Sequence, residues 1–148
     1  MLLKLADKQD FNFILGAAQK LHEDFKGVEF DRETTKDTID AFLNGNLEES
    51  MLVVAFEEDK YVGVVAGMVS LTPFSTKKIA IEPLFWTNGS YKAFKSLHKA
   101  FITWADKVGA DAKVLAVPPT KEFSKWERFY TKLGYRAYEH SFIKEGRG

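Results

Sequence analysis

Residues 126–136 read WERFYTKLGYR and come near the end of the 148-residue chain. Trp126, Tyr130 and Leu133 recur at three- and four-residue spacing, which predicts a helix with one apolar face. Gly134 is the residue type that most often ends a helix, so the helix is expected to stop there. The segment therefore marks the last helix of an alternating pattern that extends back to the first residues.

Strand patterns occupy six segments, namely 2–6, 51–56, 61–69, 78–86, 113–117 and 135–143. Helical periodicity fills the intervals, with a pair of helices before the second strand and a long helix beginning at Ser90. The resulting order β-α-α-β-β-β-α-β-α-β predicts a single α/β (α+β) domain over residues 1–148. We expect a mixed central sheet of about six to seven strands with helices on both faces.

Composition excludes several classes of function. The 21 basic and 21 acidic residues balance, so no overall field attracts nucleic acid or an anionic membrane. The absence of Cys rules out a thiolate nucleophile and fits a reducing, cytoplasmic setting. His22, His98 and His140 lack the spacing of metal ligands, so no metal site is predicted. The first residues turn polar too soon for a signal peptide or a membrane span.

Aromatic residues are abundant, with 13 Phe, five Tyr and three Trp. Some of them are expected to line a groove or a contact with a protein partner, a second copy of the chain included. A core rich in Phe explains the same composition. The sequence leaves both interpretations open.

The order of elements, together with residues 126–136, resembles the GNAT acyltransferase superfamily, whose last helix commonly reads FYxKxGF followed by Arg. Residues 61–67 (YVGVVAG) resemble its third strand, and residues 101–110 (FITWADKVGA) resemble the second half of its cofactor helix. The resemblance covers essentially the whole chain. It implies transfer of an acyl group, usually acetyl from acetyl-CoA, to an amine by direct attack within a ternary complex.

The resemblance also implies a place for the cofactor arm. In the family, strands 4 and 5 splay at a bulge, and the pantetheine arm lies in the gap between them. Pro83 suits such a bulge, which makes Leu84, Phe85 and Trp86 cofactor-binding candidates. At the start of the last helix, Phe123 takes the place of a frequent Asn, and it is a further candidate together with Trp126, one turn later.

The family binds the cofactor pyrophosphate with a loop of the form (Q/R)xxGx(G/A), in which backbone amides reach the phosphate oxygens. The corresponding residues here are 89–94 (GSYKAF). Ser90, Lys92 and Phe94 occupy the expected glycine positions, so the loop is degenerate. A helical N-terminus still offers unpaired amides and partial positive charge. The phosphate-binding candidates are Asn88, Gly89, Ser90, Tyr91 and Lys92.

Two residues are candidates for acid and base chemistry. Tyr130 corresponds to the family tyrosine that can protonate the departing CoA thiolate. It also lies on the apolar stripe of its helix, so a packing role is equally supported. Glu82 precedes the predicted bulge, near the carboxylate with which many family members deprotonate the amine. The alternative for Glu82 is a solvated carboxylate at a strand end.

Two functions remain open at this stage. The first is an N-acyltransferase that uses acetyl-CoA and an amine of a small molecule or protein. The second is a GNAT-like protein that has lost cofactor binding and acts as a binding or structural protein, as in some tailed phages. Asp24, Glu29 and Asp31 lie where the family has one wall of its acceptor cleft. They would favour a cationic amine, unless they are simply solvated loop acids.

Overall fold

The computed structural model describes residues 1–25, 27–45, 48–118, 122–139 and 141–146. The strands are β1 (Leu2–Leu5), β2 (Ser50–Glu57), β3 (Lys60–Leu71), β4 (Lys78–Thr87) and β5 (Ala112–Val114). The helices are α1 (Phe11–Phe25), α2 (Arg32–Asn44), α3 (Tyr91–Lys107) and α4 (Phe123–Lys132), with a 3-10 turn at Lys8–Asp10. Within these ranges, one five-stranded sheet has the order β1-β2-β3-β4-β5. The β4–β5 pair is parallel and the other pairs are antiparallel, which confirms the expected mixed sheet.

The expected number of strands was too high. The segment 135–143 is not a strand in the part that the structure describes, and His140 lies outside that part. Tyr138 and Phe142 are 63% and 97% exposed, so this β-prone run has no pleated surface to pack against. Aromatic and β-branched residues favour strands because of such packing. The strand expected at 113–117 likewise ends at Val114, where its pairing with β4 stops.

Helices cover both faces of the sheet, as the sequence predicted. On one face α3 packs against the sheet through Leu97, Phe101 and Trp104. On the other face Ile14 of α1 and Ile39 of α2 form a second cluster with buried residues of β2, β3 and β4. The middle strands are therefore covered on both sides. This double coverage explains why β2 reads as a continuous apolar run.

Short polar side chains cap the helices. The Asp31 carboxylate accepts the amide of Thr34 at 2.8 Å at the start of α2. The Ser90 hydroxyl accepts the amide of Ala93 at 3.1 Å at the start of α3. Such caps satisfy amides that have no partner within the helix. Ser90 thus begins the long helix at the residue that the sequence indicated.

Asp10 is a buried charge at the junction of β1 and α1, only 1% exposed. Burial opposes ionisation of its carboxyl group, but hydrogen bonds from Tyr61, the Asp7 amide and Lys4 outweigh burial and lower its pKa. The Tyr61 hydroxyl donates at 2.6 Å and the Asp7 amide donates at 2.9 Å. The Lys4 ammonium lies 3.0 Å away. The network joins the first strand to β3.

The fourth strand contains a bulge that shifts the register of its second half. Ala66 pairs with Leu84 and Met68 pairs with Ile81, so Glu82 and Pro83 together lie opposite Gly67. Pairing with β5 covers Ile79 to Ile81 and goes no further, whereas β4 continues to Thr87. Proline is tolerated at a bulge because no ladder donor is needed there. The predicted splay between strands 4 and 5 is confirmed.

Gly67 allows α3 to approach the sheet opposite the bulge. A Cβ atom at this position would lie 2.8 Å from Cζ3 of Trp104 and 2.9 Å from Cγ of Met51. Both distances are shorter than any normal carbon contact. Either the Trp104 ring or the strand would have to move to accommodate a side chain.

Gly67→Ala is expected to lower the free energy of unfolding by about 1–3 kcal/mol, because overpacking forces side chains and backbone to shift. Gly16→Ala is the matched control, since a Cβ atom there has no neighbour within 4 Å. Gly16 lies inside α1, so the control should raise stability by about 0.5–1 kcal/mol. Urea titrations of both variants test the assignment, and a Gly67→Ala protein as stable as the wild type would contradict it.

Candidate active site

The gap beyond the last β4–β5 pair is crossed by the side chain of Glu82. Its Oε1 accepts a hydrogen bond from the Ala116 amide at 2.6 Å. Burial raises the pKa of Glu82 to about 8, and the hydrogen bond from Ala116 offsets the rise only in part. At pH 7 roughly a tenth of such a group is ionised. The bulge therefore holds a carboxyl group that gains and loses a proton near neutral pH.

Two tyrosines from the end of the chain stand beside this carboxyl group. Burial raises the pKa of the Tyr130 hydroxyl, and the negative charge of Glu82 raises it further. The same two causes raise the pKa of Tyr135 to about 12. The two rings meet edge to face, with centroids 5.4 Å apart. Glu82 acts on both phenols, so the three groups share one electrostatic environment.

Tyr135 and His98 are members of the site that sequence reasoning missed. Gly134 has a φ of 93°, and this left-handed residue turns the chain so that the Tyr135 amide donates to the Tyr130 carbonyl at 3.0 Å. The Tyr135 hydroxyl lies 2.9 Å from Nε2 of His98 on α3. Burial lowers the pKa of His98. Gly134 could have indicated the position of Tyr135, because the residue after a left-handed glycine at the end of a helix commonly folds back and bonds the last turn of that helix.

Phe94 is the centre of the aromatic packing between α3, α4 and β4. It is 5% exposed, and its ring packs inside the protein. Its ring stacks on Phe85 with centroids 5.0 Å apart and meets Phe129 edge to face at 4.9 Å. Trp126 and Tyr130 lie at 5.1 and 5.9 Å from the same ring. These rings hold α4, and with it Tyr130, against α3.

The start of α3 keeps part of its capacity to bind an anion. The Gly89 amide donates to Oγ1 of Thr87 at 3.3 Å, and the Ser90 amide donates to Oδ1 of Asn88 at 3.1 Å. The amides of Tyr91 and Lys92 have no acceptor among the described residues. The side chain of Lys92 is 66% exposed and lies 4.0 Å from Glu57.

The remaining candidates from the sequence divide between the two faces of the sheet. Phe85 packs on the α3 side, while Leu84 and Trp86 pack on the α1–α2 side. Tyr91 meets Phe129 edge to face at 5.4 Å. Phe123 is the first residue of α4 and is 39% exposed.

A cavity of about 310 Å³ lies on the other face of the sheet, between α1 and α2. Pro83 and Leu84 contribute to its wall, so it begins next to Glu82 in the chain. The acids that the sequence offered as a cleft wall, Asp24, Glu29 and Asp31, are not part of its lining. Asp31 is engaged as the cap of α2.

The described residues contain no group of three or more His, Cys, Asp or Glu side chains able to hold a metal ion. No helix among them is long and apolar enough to span a membrane.

Glu82 should make the stability of the protein depend on pH. The raised pKa means that the folded state binds a proton more tightly than the unfolded chain. This contribution is present below pH 4.5 and is lost as the pH rises towards 8, with a loss on the order of a few kcal/mol. Glu82→Gln should remove the decline, and thermal melts from pH 5 to 8.5 measure it. Parallel curves for wild type and variant would refute the raised pKa.

No protein-family profile and no curated protein sequence matches the chain. Solved structures match along its whole length. A predicted acetyltransferase from Clostridium acetobutylicum, solved with acetyl-CoA, has a TM-score of 0.75 at 12% identity and covers 97% of this chain and 95% of its own. An aminoglycoside N-acetyltransferase in complex with CoA has a TM-score of 0.74 at 11% identity, and the match covers 99% of this chain and 95% of that one.

A ribosomal-protein-alanine N-acetyltransferase from Brucella melitensis biovar Abortus 2308 has a TM-score of 0.68 at 12% identity, with 99% of this chain and 100% of that one covered. Identities this low carry information about the fold alone. The splay after Ile81 and the parallel β4–β5 pair agree with that likeness. The chain has the fold of the GNAT acetyltransferases.

Proposed function

We propose that the protein is an N-acyltransferase that moves an acetyl group from acetyl-CoA to an amine. The observation that carries the proposal is the placement at the splay of a buried carboxyl group, Glu82, bonded to the Ala116 amide and near enough to Tyr130 for its negative charge to raise the pKa of that phenol. Acyl transfer to an amine needs one group to accept a proton and another to donate one. The structural neighbours solved with CoA or acetyl-CoA support the same activity class.

The residues present fit an acyl-CoA, with fewer phosphate donors than a glycine-rich loop would supply. Tyr91 and Lys92 offer two amides without acceptors in the described chain, at the positive end of the α3 dipole. The exposed ammonium of Lys92 adds a cationic contact. Acetyl-CoA, when bound, supplies the activated acyl group as a thioester. The residues proposed to hold it are Leu84, Phe85, Trp86, Asn88, Gly89, Ser90, Tyr91, Lys92, Phe123 and Trp126.

Glu82 is proposed as the general base. A carboxylate with a pKa of about 8 is a far stronger base than an ordinary Glu, and it still has an ionised fraction at neutral pH. It accepts one proton from the amine as the nitrogen forms its bond to the acetyl carbon. The Ala116 hydrogen bond fixes the carboxyl group at the mouth of the gap.

Tyr130 is proposed as the general acid. Its raised pKa keeps the hydroxyl protonated across the neutral range, so the proton is present when the carbon–sulfur bond breaks. Tyr130 gives that proton to the sulfur as it leaves. Its hydroxyl has no hydrogen-bond partner among the described residues, whereas the Tyr135 hydroxyl is engaged with His98. This difference favours Tyr130 over Tyr135 as the donor.

A second function is favoured by one observation at the start of α3. The side chains of Thr87, Asn88 and Ser90 bond amides that a pyrophosphate would otherwise use. A protein with this loop and no affinity for acetyl-CoA would be a binding or structural protein that keeps the GNAT fold. The two functions differ first in whether acetyl-CoA binds at all.

Acetyl-CoA at 100 times its dissociation constant should stabilise the fold by about 2.7 kcal/mol, which a thermal melt detects. Lys92→Glu should weaken binding roughly tenfold by placing a negative charge at the phosphate site. Lys99→Glu, an exposed position farther along the same helix, is the control and should bind normally. An unchanged melting temperature at millimolar acetyl-CoA would contradict the acyltransferase function and favour a binding or structural protein.

Tyr130→Phe should lower kcat by roughly 10²–10⁴-fold with little change in acetyl-CoA affinity, because it removes a proton donor and keeps the ring. Tyr138→Phe makes the same change on an exposed tyrosine and should leave kcat unaltered. Thiol release at saturating substrates gives kcat, and calorimetry gives the affinity. An unaltered kcat in Tyr130→Phe would return Tyr130 to a packing role.

A further inference from the structure

The acid–base chemistry leaves the cavity between α1 and α2 unexplained. Its floor is formed by Leu52, Ala66 and Leu84, which belong to three adjacent strands. Ile14 and Ala18 of α1 line one side, and α2 lines the other side. The cavity is thus formed mainly by helices and strands, together with Phe30 from the connection between α1 and α2.

The polar groups in the cavity wall are engaged locally. The Thr35 hydroxyl donates to the Asp31 carbonyl at 2.8 Å, and the Thr38 hydroxyl donates to the Thr34 carbonyl at 3.0 Å. The Thr34 hydroxyl bonds the Asp31 carboxylate. Their methyl groups and hydroxyl oxygens remain for a ligand.

Charge is scarce in the same wall. Among the described residues that line the cavity there is no Asp, Glu, Lys or Arg, and His22 is the one ionisable side chain. A polyamine or aminoglycoside acceptor needs several carboxylates to compensate its charges. This wall does not provide them.

The size of the cavity limits the ligand. A cavity of about 150 Å³ lined by apolar side chains holds one benzene molecule. A volume of about 310 Å³ therefore accommodates one aromatic ring with a short chain, or an alkyl group of similar bulk. It also lies at the lower end of the range for small-molecule sites.

The cavity wall includes the two residues that follow the proposed base in the chain. Glu82, Pro83 and Leu84 are consecutive in β4, and the last two line the cavity. The edge of β4 at these residues is not paired with β5, whose ladder stops at Ile81. A ligand body in the cavity can therefore extend a short chain past the open edge of β4 towards the Glu82 carboxyl group.

We propose that this cavity is the acceptor subsite and that the acceptor is a primary monoamine on a short chain carrying one aromatic ring. The inference rests on the proposed acetyltransferase function and names its substrate class. The amine nitrogen bonds the acetyl carbon as the carbon–sulfur bond breaks, Glu82 takes one amine proton, and Tyr130 gives its proton to the sulfur, so that CoA leaves as the thiol. The proton on Glu82 is then passed back to the Tyr130 oxygen. Acetyl-CoA supplies the acyl group, and no oxidant or reductant is required.

The test compares 2-phenylethylamine with spermidine and kanamycin as acceptors, with acetyl-CoA and detection of the released thiol. We expect kcat/KM for 2-phenylethylamine to exceed the other two by at least 100-fold. Ala18→Phe fills the cavity and should lower that kcat/KM by at least tenfold, with acetyl-CoA affinity unchanged. Ala41→Phe, on the exposed side of α2, is the matched control and should behave as the wild type. Ala18→Leu replaces Ala18→Phe if circular dichroism shows the latter unfolded.

Different results would contradict the acceptor class and the acetyltransferase function. If acetyl-CoA binds and spermidine or kanamycin is the better acceptor, or if Ala18→Phe leaves the phenylethylamine rate unaltered, the acceptor class is wrong and the acetyltransferase function stands. If acetyl-CoA does not bind, the acetyltransferase function fails. Binding of 2-phenylethanol, the uncharged analogue, then tests the cavity by calorimetry. Binding that Ala18→Phe abolishes supports an apolar ligand, and no binding at millimolar concentration overturns it.

Discussion

The extra residue in β4 is the constraint on which the rest of the site depends. Because Glu82 and Pro83 together face Gly67, the strand changes its register at this point and leaves the ladder with β5. Without the bulge, β5 could continue alongside β4 and close the gap. At this bulge Glu82 bonds the Ala116 amide across the gap, and Leu84 packs into the cluster beneath α1 and α2. Gly67 makes the arrangement compatible with packing, because the Trp104 ring occupies the space of a side chain.

The sequence predicted the elements whose signals are local. Ser90 and Asp31 cap helices where their position relative to the apolar stripes indicated, and Pro83 marked the interruption of β4. The strand expected at 135–143 was wrong because propensity does not say whether a partner strand is within reach. The link between His98 and Tyr135 joins residues 37 positions apart in the chain. Such long-range contacts follow from the assembled fold and leave no periodic pattern.

The three side chains at the glycine positions of the degenerate pyrophosphate loop have different surroundings in the structure. Phe94 is buried, and its ring packs against Phe129 of α4. Ser90 competes with a ligand for one amide because it caps the helix. Lys92 faces solvent and brings positive charge. In place of the family's glycines, Ser90 caps the helix and takes one backbone donor away from a ligand, whereas Lys92 adds a positive charge. These two changes have opposite effects on the binding of a phosphate group.

α4 is held against the rest of the fold by fewer buried contacts than α3. This helix has no fully buried residue of its own and is held mainly by ring contacts around Phe94. α3, in contrast, contributes Leu97 and Phe101 to the core with no exposure at all. Local opening is easiest where few apolar contacts resist it, so the amides of α4 would exchange with solvent before those of α3. The proposed proton donor is therefore carried on a helix with little buried surface, whereas the Glu82 carboxyl group belongs to a strand of the central sheet.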